Sequence, residues 1–169
     1  MNVRNVQPSD YPAIISVLDE WWGGRKMSDM LPRLFFEHFC ETSFIIEEDG
    51  RFAAFLIGFF SQSRPEEAYI HFVGVHLQYR KRGFGRELYE RFFAAMRQGQ
   101  RRLVRCVTAP INTGSIAFHT RMGFRIEPGK AELNGVAYDP DHDGPGEHRV
   151  RSVRQFRPVC CPALLKVKI

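Results

Sequence analysis

The chain has 169 residues and a mass of 19.6 kDa, enough for one domain with a real core. A hydrophobic fraction of 44% beside 25% charged residues is globular composition, which excludes collagen, coiled coil and a polytopic membrane protein. The 24 Lys and Arg outnumber the 19 Asp and Glu, for a net charge of +5. That balance asks for an anionic partner: a nucleic acid, an anionic membrane face or a phosphate-bearing cofactor.

Residues 1–10 are polar and lack the apolar core of a signal peptide, and no apolar run is long enough to span a bilayer. The longest, 52–60, has the length of a buried strand. Cys40 and Cys106 stand alone in apolar surroundings and are expected as buried thiols. Cys160 and Cys161 are adjacent, a poor geometry for a metal and a strained one for a disulfide. The expectation is a reduced, cytoplasmic protein with no metal site and no membrane partner.

In chain order, the pattern predicts a helix over 11–18 capped by Ser9, broken by the loop Trp21-Trp22-Gly23-Gly24-Arg25. A second helix is expected over 28–39, with Ser28 as cap and Pro32 near its first turn. Strands follow at 44–48 and 52–61, joined by Asp49-Gly50, a hairpin signal. A strand at 68–75 leads to a helix over 83–97, on which Leu88, Phe92 and Met96 share one face. The run 103–109 reads as a buried strand ended by Pro110, and 113–122 as a helix closed by Gly123. Strands at 124–126, 136–138 and 149–156 complete a mixed α/β domain with a hairpin start and one parallel crossover. The 15 Phe predict an aromatic-rich core.

The most informative segment is the strand that enters Arg80-Lys81-Arg82-Gly83-Phe84-Gly85-Arg86 and opens the helix. First-turn N–H groups of a helix lack internal acceptors and carry positive partial charge. Gly83 and Gly85 have no Cβ to keep phosphate oxygens from the backbone, and four cations surround them with no acid between. The spacing is neither a dinucleotide fingerprint nor a P-loop.

This loop resembles motif A of the GNAT superfamily of N-acetyltransferases, Gln/Arg-x-x-Gly-x-Gly/Ala. The segment from Asn112-Thr113-Gly114-Ser115 to His119-Thr120-Arg121-Met122-Gly123-Phe124 is similar to that family's second signature, an N-x-x-A/S…G-F helix. The resemblance covers roughly 1–156, leaving 157–169 as a C-terminal extension that either docks on the domain, pairs with a second subunit to give a homodimer, or stays disordered. It implies a single α+β domain. A mixed, mostly antiparallel sheet with a splayed central strand is flanked by helices.

The resemblance also implies a site. Acetyl-CoA is the acetyl donor, its pyrophosphate on the backbone N–H groups of Lys81 through Arg86, with Arg80 beside them. Its arm pairs with Val73 and Val75, Gly74 forms a bulge, and the Val75 N–H stabilises the developing oxyanion. Asn112 and Ser115 contact the cofactor. His119 stands where the family places its acidic Tyr, and is read either as the general acid or as a packing or cofactor-binding residue. His71 stands where histone-type members place a basic Glu, and is read either as the general base, directly or through water, or as a strand histidine that hydrogen-bonds in the core. The acceptor site is expected between the Trp21, Trp22 and Arg25 loop and the acidic loop carrying Asp139 and Asp143, although at least one of the two tryptophans is expected in the core. There an attractive field for a cation competes with the reading of a solvated turn.

The leading function is acetyl transfer to a primary amine, on a small molecule or peptide, in a ternary complex. The alternative is an acyl-CoA-binding sensor of the same fold. Nucleic-acid binding is disfavoured, since Tyr79 and Phe84 are too few as stacking aromatics beside the basic loop. The stretches 80–86, 97–105 and 149–157 hold half of the 24 basic residues and none of the acids. The chain is thus acidic with three basic segments, one of them the phosphate loop.

Overall fold

The computed structural model describes residues 1–157. Nine strands alternate with four helices: β1 (Asn2–Asn5), α1 (Tyr11–Trp21), α2 (Leu34–His38), β2 (Phe44–Glu48), β3 (Arg51–Phe60), β4 (Glu67–Val75), α3 (Phe84–Gln98), β5 (Leu103–Thr108), α4 (Thr113–Arg121), β6 (Arg125–Ile126), β7 (Ala131–Leu133), β8 (Val136–Tyr138) and β9 (Val150–Gln155). Seven of them form one sheet in the order β1-β2-β3-β4-β5-β9-β6, and β7 and β8 make a separate hairpin. Every pairing is antiparallel except β4 with β5, the crossover through α3. The expected mixed α/β domain is therefore what the chain forms. The extension predicted from 157 onward, with Cys160 and Cys161, lies outside the described residues apart from Arg157.

The sheet separates two cores. On one face α3 buries Leu88, Tyr89, Phe92, Phe93 and Met96 against Ile46, Ala54, Leu56, Ile70 and Val104. On the other, α1 buries Ile14, Leu18 and Trp21 with Leu31 and Phe36 against Ile45, Phe55, Ile57 and Phe72. Asp49 and Gly50 both adopt positive φ (52° and 72°), the primed turn that matches strand twist.

Three local expectations change. Ser9 does not cap α1. A 3₁₀ turn over Pro8–Asp10 leads into it, and Asp10 accepts hydrogen bonds from the Gln7 N–H and the Arg4 guanidinium. Ser28 does not start a helix to residue 39. Residues Ser28–Met30 make a single 3₁₀ turn, and the helix restarts only at Leu34. Pro32 is the cause, because its ring excludes helical backbone at the preceding residue, and Leu31 leaves the helix at φ −128°, ψ 67°. The bulge is also displaced. Gly74 pairs regularly with Phe55, whereas Ile57 faces Phe72 and Gly58 faces Ile70, so His71 is the extra residue. The extra residue inverts the alternation. Ile70 before it and Val73 after it meet the α3 core, while Phe72 meets the α1 core.

Candidate active site

Strands β4 and β5 pair only through Glu67, Ala68 and Tyr69, and beyond Tyr69 they diverge. The gap exposes one edge of β4. His76 N–H donates to the Ala53 carbonyl, and antiparallel pairs alternate. The peptide groups of Gly74 therefore face β3, and those of Val73 and Val75 face the gap. The Val75 carbonyl, with no strand partner, accepts from Arg80 Nε at 3.3 Å.

Below the gap lies the basic loop. Lys81 (φ 64°) and Gly83 (φ 90°) are left-handed, which curls the backbone into an anion-binding concavity. Among the described residues, none of the N–H groups from Lys81 to Arg86 has a protein acceptor. Gly83 serves its conformation, since a Cβ there would meet nothing within 4 Å. Gly85 serves close approach, since a Cβ would lie 3.3 Å from the Phe118 ring. The donors, their curvature and the missing side chains fit a polyphosphate.

The four cations are not equivalent. Arg82 bonds Glu48 Oε1 at 2.7 Å and lies over the rings of Tyr79 and Phe84. An acid far away in sequence thus interrupts the run after all. Arg80 turns inward to two carbonyls, Val75 and Trp21, the latter at 2.9 Å. Lys81 and Arg86 are exposed. Arg86 joins Arg121 and Arg154 around a cavity of about 170 Å³ between α3, α4 and β9, opposite Glu90.

Asn112 caps α4, its side-chain oxygen accepting the Ser115 N–H at 3.2 Å. His119 faces the core from the same helix. It is 5% exposed, its Nε2 lies 2.7 Å from the Tyr89 hydroxyl, and its Nδ1 has no partner. Burial lowers its pKa to about 4. Of the two readings of His119, this geometry favours packing over acid catalysis.

His71 sits half-buried at the bulge, on the face opposite α3. Its Nε2 lies 2.8 Å from the Met30 carbonyl, which can only accept, so Nε2 carries the proton and the Nδ1 lone pair is free. Phe35 stacks on the ring at 4.4 Å, and burial holds the pKa below the ordinary 6.5.

Trp21 is core, 4% exposed and stacked on Phe52. Trp22 is half-buried against Phe72 and Phe55, and the Arg25 guanidinium bonds its carbonyl. The acidic loop is partly paired within the fold. Asp139 accepts from Arg151 at 2.5 Å, and Asp143 and Glu147 accept from Arg149, itself 7% exposed. Asp139 is thus paired with Arg151 and Asp143 shares Arg149 with Glu147, while Asp141 meets no lysine or arginine among the described residues, so the loop stays net acidic. Among the described residues no cluster of His, Cys, Asp and Glu could hold a metal, and no helix is long and apolar enough to cross a membrane.

The model of the acetyltransferase (GNAT) family matches residues 10–124. The chain belongs to that family. Solved structures share the fold at low identity. Ard1 from Thermoplasma volcanium has a TM-score of 0.74 at 18% identity, over 92% of this chain and 97% of its own. YncA from Salmonella typhimurium, a putative acetyltransferase solved with its cofactor acetyl-CoA, has 0.67 at 19%, over 95% and 99%. Chaetomium thermophilum Naa20, in complex with a bisubstrate analogue, has 0.69 at 20%, over 92% and 87%. No curated protein sequence matches this chain.

Proposed function

We propose that this chain is an N-acetyltransferase that moves an acetyl group from acetyl-CoA to a primary amine. One observation carries the reading: the peptide groups of Val73 and Val75, without a strand partner, face a strand gap that opens onto the unpaired N–H groups of 81–86. An extended arm ending in a pyrophosphate matches that layout. The thioester, when bound, supplies the activated acyl group. Arg86 and Arg121 add positive field beside the loop, and Asn112 and Ser115 at the start of α4 are assigned to the cofactor arm by the family resemblance.

Four residues of this chain divide the remaining work. The Val75 N–H is the donor for a carbonyl oxygen that gains negative charge, and such a donor is worth on the order of 10²–10³ in rate. His71 accepts the amine proton at Nδ1. At roughly 3.3 Å per strand residue it stands about 13 Å along the strand from Val75, so the proton passes along a chain of waters. Trp22 and Arg25 border the acceptor side, with Asp139 and Asp143 held on Arg151 and Arg149. No acid is assigned: a thiol of ordinary pKa, about 8.5, leaves as the anion without one.

Transfer is direct. Cys106 is buried with its thiol pushed far up by burial, and Cys40 Sγ lies 2.8 Å from the Phe36 carbonyl. Among the described residues neither thiol is placed to carry the acetyl group, and both fit a reducing compartment such as the cytoplasm. Initial rates with both substrates varied should give intersecting double-reciprocal lines. Parallel lines, with trapped acetyl-enzyme, would overturn direct transfer. A non-catalytic acyl-CoA sensor is the second reading, favoured by the burial of His119.

A further inference from the structure

We propose that Trp22 sets the length of the acyl chain that the site accepts and restricts it to the acetyl group. The inference rests on the acyl-CoA reading given above. A Cβ built on Gly74 would lie 2.9 Å from Trp22 Cη2 and 3.1 Å from Cζ3. The edge of the indole thus fills the space where a side chain of β4 would stand. Gly74 separates Val73 and Val75, whose peptide groups face the gap, so the ring lies within one residue of the Val75 N–H.

The ring is a wall and not a flap. Trp22 N–H donates to the carbonyls of Leu18 and Asp19, which ties it to the last turn of α1. Its carbonyl accepts from Arg25 Nε at 3.2 Å. Its ring packs on Phe72 and Phe55, with centroids 5.4 and 6.4 Å away. The preceding residue is buried, and Arg80 holds its carbonyl to the same loop that ends β4. Phe55 blocks retreat across the strand, its Cε1 only 2.5 Å from the Gly74 Cβ position. A longer acyl chain anchored at Val75 on this face runs into an immobile aromatic edge, and one methylene against such a wall is worth ~10–200-fold.

The test compares binding of acetyl-CoA and butyryl-CoA by calorimetry to wild type, Trp22→Ala and Trp22→Leu, each checked for a cooperative thermal transition. Wild type should bind butyryl-CoA at least ~10-fold more weakly than acetyl-CoA, and Trp22→Ala should bring the two within ~3-fold. Trp22→Leu should fall between, and it carries the test if the alanine variant does not fold. Wild type that binds both thioesters equally, or a ratio unchanged in the variants, overturns the role of Trp22. If wild type binds neither thioester nor free CoA, the acetyltransferase reading itself fails.

Discussion

The hydroxyl of Tyr89 on α3 and Nε2 of His119 on α4 lie 2.7 Å apart, both residues buried. They clasp α3 to α4 and join the two segments that carry the family resemblance. Removing the hydroxyl leaves the imidazole without any partner, because Nδ1 already has none. Tyr89→Phe should cost about 1–3 kcal/mol in urea unfolding. Unchanged stability would mean that the clasp carries no energy.

The same histidine gives stability a pH dependence. Its folded pKa, about 4, lies below the unfolded value near 6.5, so the unfolded chain binds the proton more readily. The contribution is complete above about pH 6.5 and drains away as pH falls toward 4. His119→Gln should flatten that part of the stability profile. A wild-type profile already flat between those values would contradict the buried neutral imidazole.

Gly74→Ala tests the packing at the centre of the site. The new methyl meets Phe55 and Trp22 at distances that real Cβ atoms do not tolerate. Overpacking of this kind costs about 1–3 kcal/mol. Because the chain has two Trp and one of them is in the contact, emission should shift along with the lowered Tm. A variant with native Tm and native emission would mean that the strand yields freely there.

Arg80 caps the end of α1 by donating to the Trp21 carbonyl. Arg80→Gln loses a charge-assisted bond at a helix C-terminus, worth about 1 kcal/mol. Hydrogen exchange should accelerate at the amides of Trp22, Gly23 and Gly24, which form the last turn. Protection equal to wild type would show that the turn holds without the arginine.

His71 carries the proton-transfer prediction. Its neutral form is the active one and its pKa in the free protein lies below 6.5, so kcat/KM should rise through that pKa and level off above it. His71→Gln should lower kcat by ~10²-fold and remove the acid limb. A variant with the wild-type profile would take the base away from His71.

Much of the architecture was legible because hydrophobic period and turn chemistry coincide. Asp49-Gly50, the face of Leu88, Phe92 and Met96, and the stop at Gly123 each act within a few residues. Strand β1 was not legible. Val3 and Val6 are out of step with a two-residue period, and the strand is held by β2 and by Arg4 bridging Glu47 and Asp10. Strand β7 leaves a readable mark, the Asn134-Gly135 turn at positive φ that joins it to β8. At the site, the loop glycines were visible as a pattern. The neutralising partners Glu48, Arg149 and Arg151 were not, since pairing across the fold leaves no local trace. Nor was the reason for Gly74, which lies in two aromatic rings from β3 and the end of α1.

The central claim is that this site turns over rather than merely binds. The direct measurement is release of the CoA thiol from acetyl-CoA, followed against a panel of primary amines, with mass analysis of the acceptor. The account predicts amine-dependent thiol release matched by an N-acetylated product in equal amount. Tight binding of acetyl-CoA with no amine-stimulated release across the panel would contradict it and leave a sensor in its place.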